Sequence, residues 1–271
     1  MTMSDYRNHI SVAIWIVLAS LTLGKLITIP ERTFSIFVFG SPIEFRFSAA
    51  FLAGLVALAA TWAGMEAVLR THPKKALLRH TYRFWGLPTA IVLSGAVLLP
   101  ALQNQGVWLL TLVAIGATLA ASMAGEYYTL DVDAPEYARS RILLNGLAYG
   151  VAAVTFILIY LSRSRSLVSA TLIGLTAGLL AMELLRDSGA RLRLIFFYSA
   201  FLAIILAQFT VILNYWPFPS VRVALALMIG FYLLVGLAQQ TLRQQITRRR
   251  VAEYLLMSLL AVTVVFLFPE S

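Results

Sequence analysis

Apolar residues run along this chain in unbroken blocks about as long as a bilayer is thick, and polar residues gather in the short stretches between them. A helix crosses a hydrocarbon layer of about 30 Å with about 20 residues. Blocks of that length cover residues 10–28, 48–68, 85–103, 107–125, 142–161, 167–185, 194–213, 223–242 and 251–268. Strands of a membrane barrel would alternate in segments of about ten residues, whereas these blocks are apolar on every side. The pattern predicts an all-α, polytopic transmembrane helix bundle of nine spans, a single integral membrane domain over residues 1–271. The first block follows Arg7 with no small-residue cleavage site after it, which marks a retained span rather than a signal peptide.

One stretch departs from the helical pattern. Within residues 33–47, Ile43, Phe45 and Phe47 alternate with Glu44 and Arg46 behind a Gly40-Ser41-Pro42 turn. Alternation after such a turn predicts a β-hairpin between the first two spans. An isolated two-stranded hairpin is marginal in water, so its aromatic face is expected to cap the outer helix ends. A lid or a docking strand for a partner is the alternative.

A second regularity appears at the ends of the even-numbered spans. Ala63-Gly64-Met65-Glu66, Ala124-Gly125-Glu126, Ala181-Met182-Glu183 and Gly236-Leu237-Ala238-Gln239 each place small residues before an acid or amide, at intervals of 60, 57 and 56 residues. With Arg83, Arg141, Arg193 and Arg250 ahead of the following spans, this reads as tandem two-helix hairpin units plus a ninth helix. A carboxylate at a helix C-terminus opposes the macrodipole at a cost of about 0.3–1 kcal/mol. Arg70 and Arg186 follow Glu66 and Glu183 at helix spacing and can offset it. Glu126 has no basic residue in the next twelve positions and must look across to Arg139, Arg141 or the basic stretch from Arg70 to Arg83. Structural ion pairing accounts for the set, with a polar cavity mouth as the alternative, and Glu126 is the first choice for any functional role.

Charge then orients the chain. Of 21 Lys and Arg residues, fifteen fall at the N-terminus or in even-numbered connections: Arg7, five from Arg70 to Arg83, Arg139 and Arg141, three from Arg186 to Arg193, and four from Arg243 to Arg250. The six on the other side are Lys25, Arg32, Arg46, Arg163, Arg165 and Arg222. By the positive-inside rule the N-terminus is cytoplasmic and the C-terminus extracytoplasmic. The net charge of +9 is accounted for by this asymmetry, which disfavours a nucleic-acid partner. Trp85, Trp108, Tyr215 and Trp216 fall at span ends, where interfacial aromatics belong.

Composition narrows the chemistry. A chain that is 60% hydrophobic and 12% charged, with mean hydropathy +0.85, leaves no length for a separate soluble catalytic domain. The absence of cysteine removes disulfides, thiolate nucleophiles and iron–sulfur clusters. No nucleophile elbow, phosphate-binding lysine loop or His-Glu-x-x-His occurs. His9, His72 and His80 lack metal-ligand spacing and read as surface histidines, and neither a metal nor a cofactor is implied.

The most unusual polar segment is the connection after the fourth span, where Glu126, Asp131, Asp133 and Glu136 are interleaved with Arg139 and Arg141. Carboxylates two apart beside Pro135 suit a hard divalent ion shared with a phosphate. Helix capping by Asp131 or Asp133 and local salt bridges are the simpler reading of the same acids, with the ion site as the alternative. Near the membrane midplane the main polar candidate is Gln208. Gly146 and Gly150, and Gly174 and Gly178, form small-xxx-small faces expected to pack against each other, or else to make a homodimer or membrane-protein seam.

Pro30-x-Arg32-Thr33 with Gly40-Ser41-Pro42, His72-Pro73 ahead of Trp85-x-x-Pro88, and Glu126-Tyr127-Tyr128 with Asp131 together resemble an uncharacterised family of bacterial, Chloroflexota-type multi-pass membrane proteins. The resemblance implies a bacterial inner-membrane address and no activity. The sequence fits best a non-enzymatic scaffold or accessory protein. A small-solute or lipid transporter and an enzyme acting on a lipid phosphate at the cytoplasmic face are the alternatives.

Overall fold

The computed structural model describes residues 3–27, 29–30, 32–38, 41–74, 81–161, 166–216, 219–245 and 247–267. Gly40 of the expected turn, Lys75, Arg79, His80, Arg163 and Arg165 lie outside the described residues. Among those described there are nine α-helices: α1 (Met3–Leu26), α2 (Ala49–Arg70), α3 (Gly86–Leu98), α4 (Gln105–Tyr128), α5 (Tyr137–Leu161), α6 (Ser166–Arg186), α7 (Leu192–Asn214), α8 (Ser220–Leu242) and α9 (Arg248–Leu267). Seven of the described helices, α1, α2 and α4 to α8, are long and apolar enough to cross a membrane.

Local chemistry sets several boundaries. Ser48 Oγ accepts the Phe51 amide at 3.2 Å at the start of α2. Asn104 Oδ1 accepts the Gly106 and Val107 amides at 2.9 and 3.1 Å at the start of α4. Each cap satisfies N–H groups that the helix itself leaves without acceptors. The block at 85–103 forms a shorter helix than its hydropathy predicts: α3 ends at Leu98 and a 3-10 turn, Leu99–Ala101, follows. Pro100, which has no amide hydrogen to continue the ladder, sits in that turn.

Between α1 and α2 lie two strands, β1 (Arg32–Val38) and β2 (Ser41–Phe47). They pair antiparallel from Arg32↔Phe47 to Val38↔Ser41, with Phe34 opposite Phe45 and Ile36 opposite Ile43. Phe47 meets Phe51 edge to face at 5.2 Å, tying the end of β2 to the first turn of α2.

The chain divides inside α5 into two compact units, Met1–Leu143 and Leu144–Ser271. In the first, α1 lies along α2, α3 packs on α2 and α4, and α4 returns to α1. Small residues let α1 and α2 approach closely, since a Cβ on Gly24 would stand 2.7 Å from the Ala53 methyl and 3.2 Å from the Ala50 Cα. Val17, Ala57, Met65, Leu87, Leu119 and Met123 are fully buried there. Trp62 stacks on Trp85 at 5.8 Å and donates its indole N–H to Thr89 Oγ1 at 2.9 Å.

In the second unit α6 and α7 form the tightest pair, α8 packs on both, and α9 packs on α8. Asn214 at the end of α7 donates to Ser166 and Ser169 Oγ at 3.0 Å each, and Tyr160 donates to the Thr210 carbonyl at 3.2 Å. The glycine faces pack differently from expectation. A Cβ on Gly174 would meet the Ala203 carbonyl at 3.0 Å and one on Gly178 the Ala203 methyl at 3.1 Å, so both face α7. Gly146 and Gly150 have nothing within 4 Å of such a Cβ. The turn from α6 to α7 follows the same economy, using Gly189 at φ +67, where a side chain would be strained.

Large apolar side chains remain on the outside: Trp15 is 70% exposed, Leu110 72% and Phe197 66%. In water such a surface would associate; against lipid it is the solvated state.

These contacts generate a stability prediction. Gly174→Val should lower the unfolding free energy by about 1–3 kcal/mol, the usual cost of overpacking, because the carbonyl of Ala203 is backbone and cannot give way. Gly150→Ala should be neutral or slightly stabilising through helix propensity. Unfolding of the purified chain in a mild denaturing detergent series measures both.

Candidate functional site

Alternating helix directions bring the start of α1 and the ends of α2 and α4 to one end of the first unit, and the polar side chains meet there. Tyr6 of α1 stacks on Tyr127 of α4 at 4.5 Å with the rings 10° apart. The hydroxyls of Tyr6 and Tyr128 share a hydrogen bond of 2.9 Å. His72, just past α2, sets its ring against Tyr127 edge to face at 4.8 Å.

His72 is only 8% exposed, so the expectation of a surface histidine is corrected. The helix α2 ends with the His72 amide bonded to the Leu69 carbonyl at 3.1 Å, and the aromatic cluster covers the ring. The Lys74 amide donates to His72 Nδ1 at 3.1 Å. An acceptor Nδ1 leaves the ring proton on Nε2, the neutral imidazole. Burial pushes the His72 pKa below its ordinary value, Asp131 pulls it back up, and Lys74 pushes it down.

The acidic connection is anchored rather than open. Lys74 Nζ meets Asp131 Oδ1 at 2.6 Å, and the same oxygen accepts the Asp133 amide at 3.2 Å. The hydrogen bond from Lys74 holds the Asp131 carboxyl below its usual range and raises Lys74 in turn. Asp131 thus closes an Asx turn instead of capping a helix. Asp133, Glu136 and Arg139 are exposed, whereas Arg141 is 5% exposed. Among the described residues no group of three or more His, Asp or Glu is placed to hold a metal ion. The divalent-ion reading of this connection therefore finds no ligand set among them.

The helix-end carboxylates differ sharply in environment. Glu66 meets Arg70 at 2.7 Å while partly exposed, a pairing worth little in free energy. Glu126 is fully buried at the end of α4, where the Thr129 hydroxyl bonds its backbone carbonyl at 2.9 Å and lies 3.4 Å from Oε2. In the second unit Glu183 is also fully buried, with Arg186 Nη1 at 3.0 Å. Gln239 takes another route, donating Nε2–H to the Leu184 carbonyl at 2.9 Å. Arg243 and Asp187, at 2.7 Å, tie α8 to the end of α6 a second time. Gln208 is exposed on α7 and lines none of these clusters.

Residues 29–268 match the family described as Protein of unknown function (DUF5656). The chain belongs to that family. No curated protein and no solved structure matches it. For this DUF5656 chain Glu126, Arg141 and His72 are the ionisable side chains buried in the first unit among the described residues. The sequence pattern points to the first two, and to neither Tyr6 nor the burial of His72. Their signal was positional: an aromatic opening the first span and a histidine closing the second stand level with the Tyr127-Tyr128 pair.

The histidine carries a pH prediction. Its folded pKa is depressed below 6.5, so its contribution to stability is complete above 6.5 and is lost as the pH falls through the folded value. Titration of the His72 ring by NMR should give a midpoint below 6.5 in the folded chain. His72→Gln should flatten the acid limb of the stability curve above the carboxylate range.

Proposed function

We propose that this chain is a non-enzymatic scaffold or accessory protein of a bacterial inner membrane, with the N-terminus and the Glu126 end of the first unit on the cytoplasmic side. The observation that carries the reading is the state of the helix-end polar groups. Glu183 is sealed against Arg186 at 3.0 Å with side-chain exposures of 0% and 10%, and Gln239 is spent on the Leu184 carbonyl. Groups that move a solute must exchange partners and reach water from alternate sides, whereas these are held in fixed contacts. Arg141, buried in the same unit as Glu126, is the charge we assign to balance it. The β1–β2 hairpin, on this orientation, lies on the extracytoplasmic side.

The topology is checked by reporter fusions after Pro42 and after Lys74, which should report outside and inside respectively. The reverse pattern overturns the orientation.

The function is checked on the tagged chain solubilised gently from its native membrane. A scaffold should migrate with a second membrane protein in fixed ratio, and Glu126→Gln should weaken that association more than Glu66→Gln. A bare chain that instead supports solute flux in liposomes, with flux lost in Glu126→Gln, replaces this reading with the transporter. The pairing is checked separately: Glu126→Gln and Arg141→Gln should each cost about 3–5 kcal/mol, as for breaking a buried ion pair, and the double variant should cost less than their sum.

A further inference from the structure

At the opposite end of the first unit from Tyr6, the end of α1, the start of α2, the end of α3 and the start of α4 enclose a cavity of about 240 Å³. Leu21, Gly24, Leu99 and Leu102 give it an apolar wall, and Lys25 and Trp108 supply its polar groups. At about 30 Å³ per liquid water this is room for about eight waters, enough for a small headgroup or a short alkyl segment.

The two polar groups are arranged together. Lys25 Nζ lies over the Trp108 ring at 4.4 Å from its centroid, and no carboxylate pairs with it among the described residues. The indole Nε1–H of Trp108 is buried and meets no acceptor among the described residues. A buried donor left unsatisfied costs about 1–3 kcal/mol, so a site that supplies an acceptor is favoured there. Leu26 and Ile27, next to the lysine, are 71% and 49% exposed, as suits the level where hydrocarbon gives way to headgroups. A lysine at this depth keeps its stem along apolar surface and its ammonium toward the interface.

We propose that this cavity binds the anionic phosphate headgroup of a lipid, with Lys25 as the charge, Trp108 Nε1–H as the hydrogen-bond donor and the leucine wall taking the first part of an acyl chain. The ring beneath Lys25 holds the ammonium in place by a cation–π contact before the ligand arrives. The apolar wall distinguishes an amphiphile from free phosphate, which gains nothing from it.

The test uses the full chain in detergent and reads its thermal unfolding midpoint. Three additions are compared: phosphatidylcholine, phosphatidylcholine mixed with phosphatidylglycerol, and inorganic phosphate alone. The anionic lipid should raise the midpoint above that seen with phosphatidylcholine, and inorganic phosphate should not. Lys25→Gln should lose at least half of that rise, Lys25→Arg should keep most of it, and Trp108→Phe, which retains the ring and removes the donor, should fall between. Arg248→Gln, at the exposed start of α9, should respond as the unaltered chain does. An equal rise in Lys25→Gln overturns the site, and a full rise with inorganic phosphate alone overturns the lipid as its occupant.

Discussion

Hydrocarbon contains no water to take up an unpaired peptide group, and every other feature of this chain works within that constraint. Helices answer it along their length by bonding each amide to a carbonyl four residues back. Several hydroxyls inside the spans answer it the same way. Thr61, Ser94, Thr118 and Thr210 each return their hydroxyl to the carbonyl four residues earlier, at 2.7–2.8 Å. Hydroxyls satisfied within one helix do not decide which helix lies beside it.

That decision passes to shape and to the helix ends. Apolar side chains gain little from leaving lipid for protein, so close approach through small residues and the few polar bonds between helices set the neighbours. Gly174 and Gly178 against Ala203, and Asn214 against Ser166 and Ser169, fix α6 on α7 by both means. At the C-terminal ends of α2 and α6 the helix dipole adds a penalty for carboxylates, and the two are met differently: Arg70 in the open at Glu66, Arg186 in the interior at Glu183. The exposed pair contributes little to stability. The buried pair is costly to break, because either partner alone is left charged in an apolar setting.

The two ends of the first unit are chemically unlike. One is closed by stacked tyrosines, a neutral histidine and the Lys74–Asp131 pair, and it offers no open surface of unbalanced charge at those residues. The other holds Lys25 above Trp108 at the mouth of a cavity. An asymmetry of this kind gives each end of the unit its own set of contacts.

Hydropathy by itself determined where the helices lie. The starts and ends of α2, α4, α6, α7 and α8 fall within about three residues of the apolar blocks, because the energy that defines a span is the transfer of a continuous segment into lipid and is local in sequence. The spacing from Glu66 to Arg70 and from Glu183 to Arg186 was legible for the same reason, since both partners share one helix face. Only tertiary structure decided what lies across a gap. It put Gly174 and Gly178 on α7 instead of α5, turned Gln208 outward, broke the block at 85–103 near Pro100, and buried His72 against Tyr127. Each of these depends on side-chain shape between segments tens of residues apart, and a hydrophobic pattern nearly uniform around each helix does not mark which face meets which neighbour.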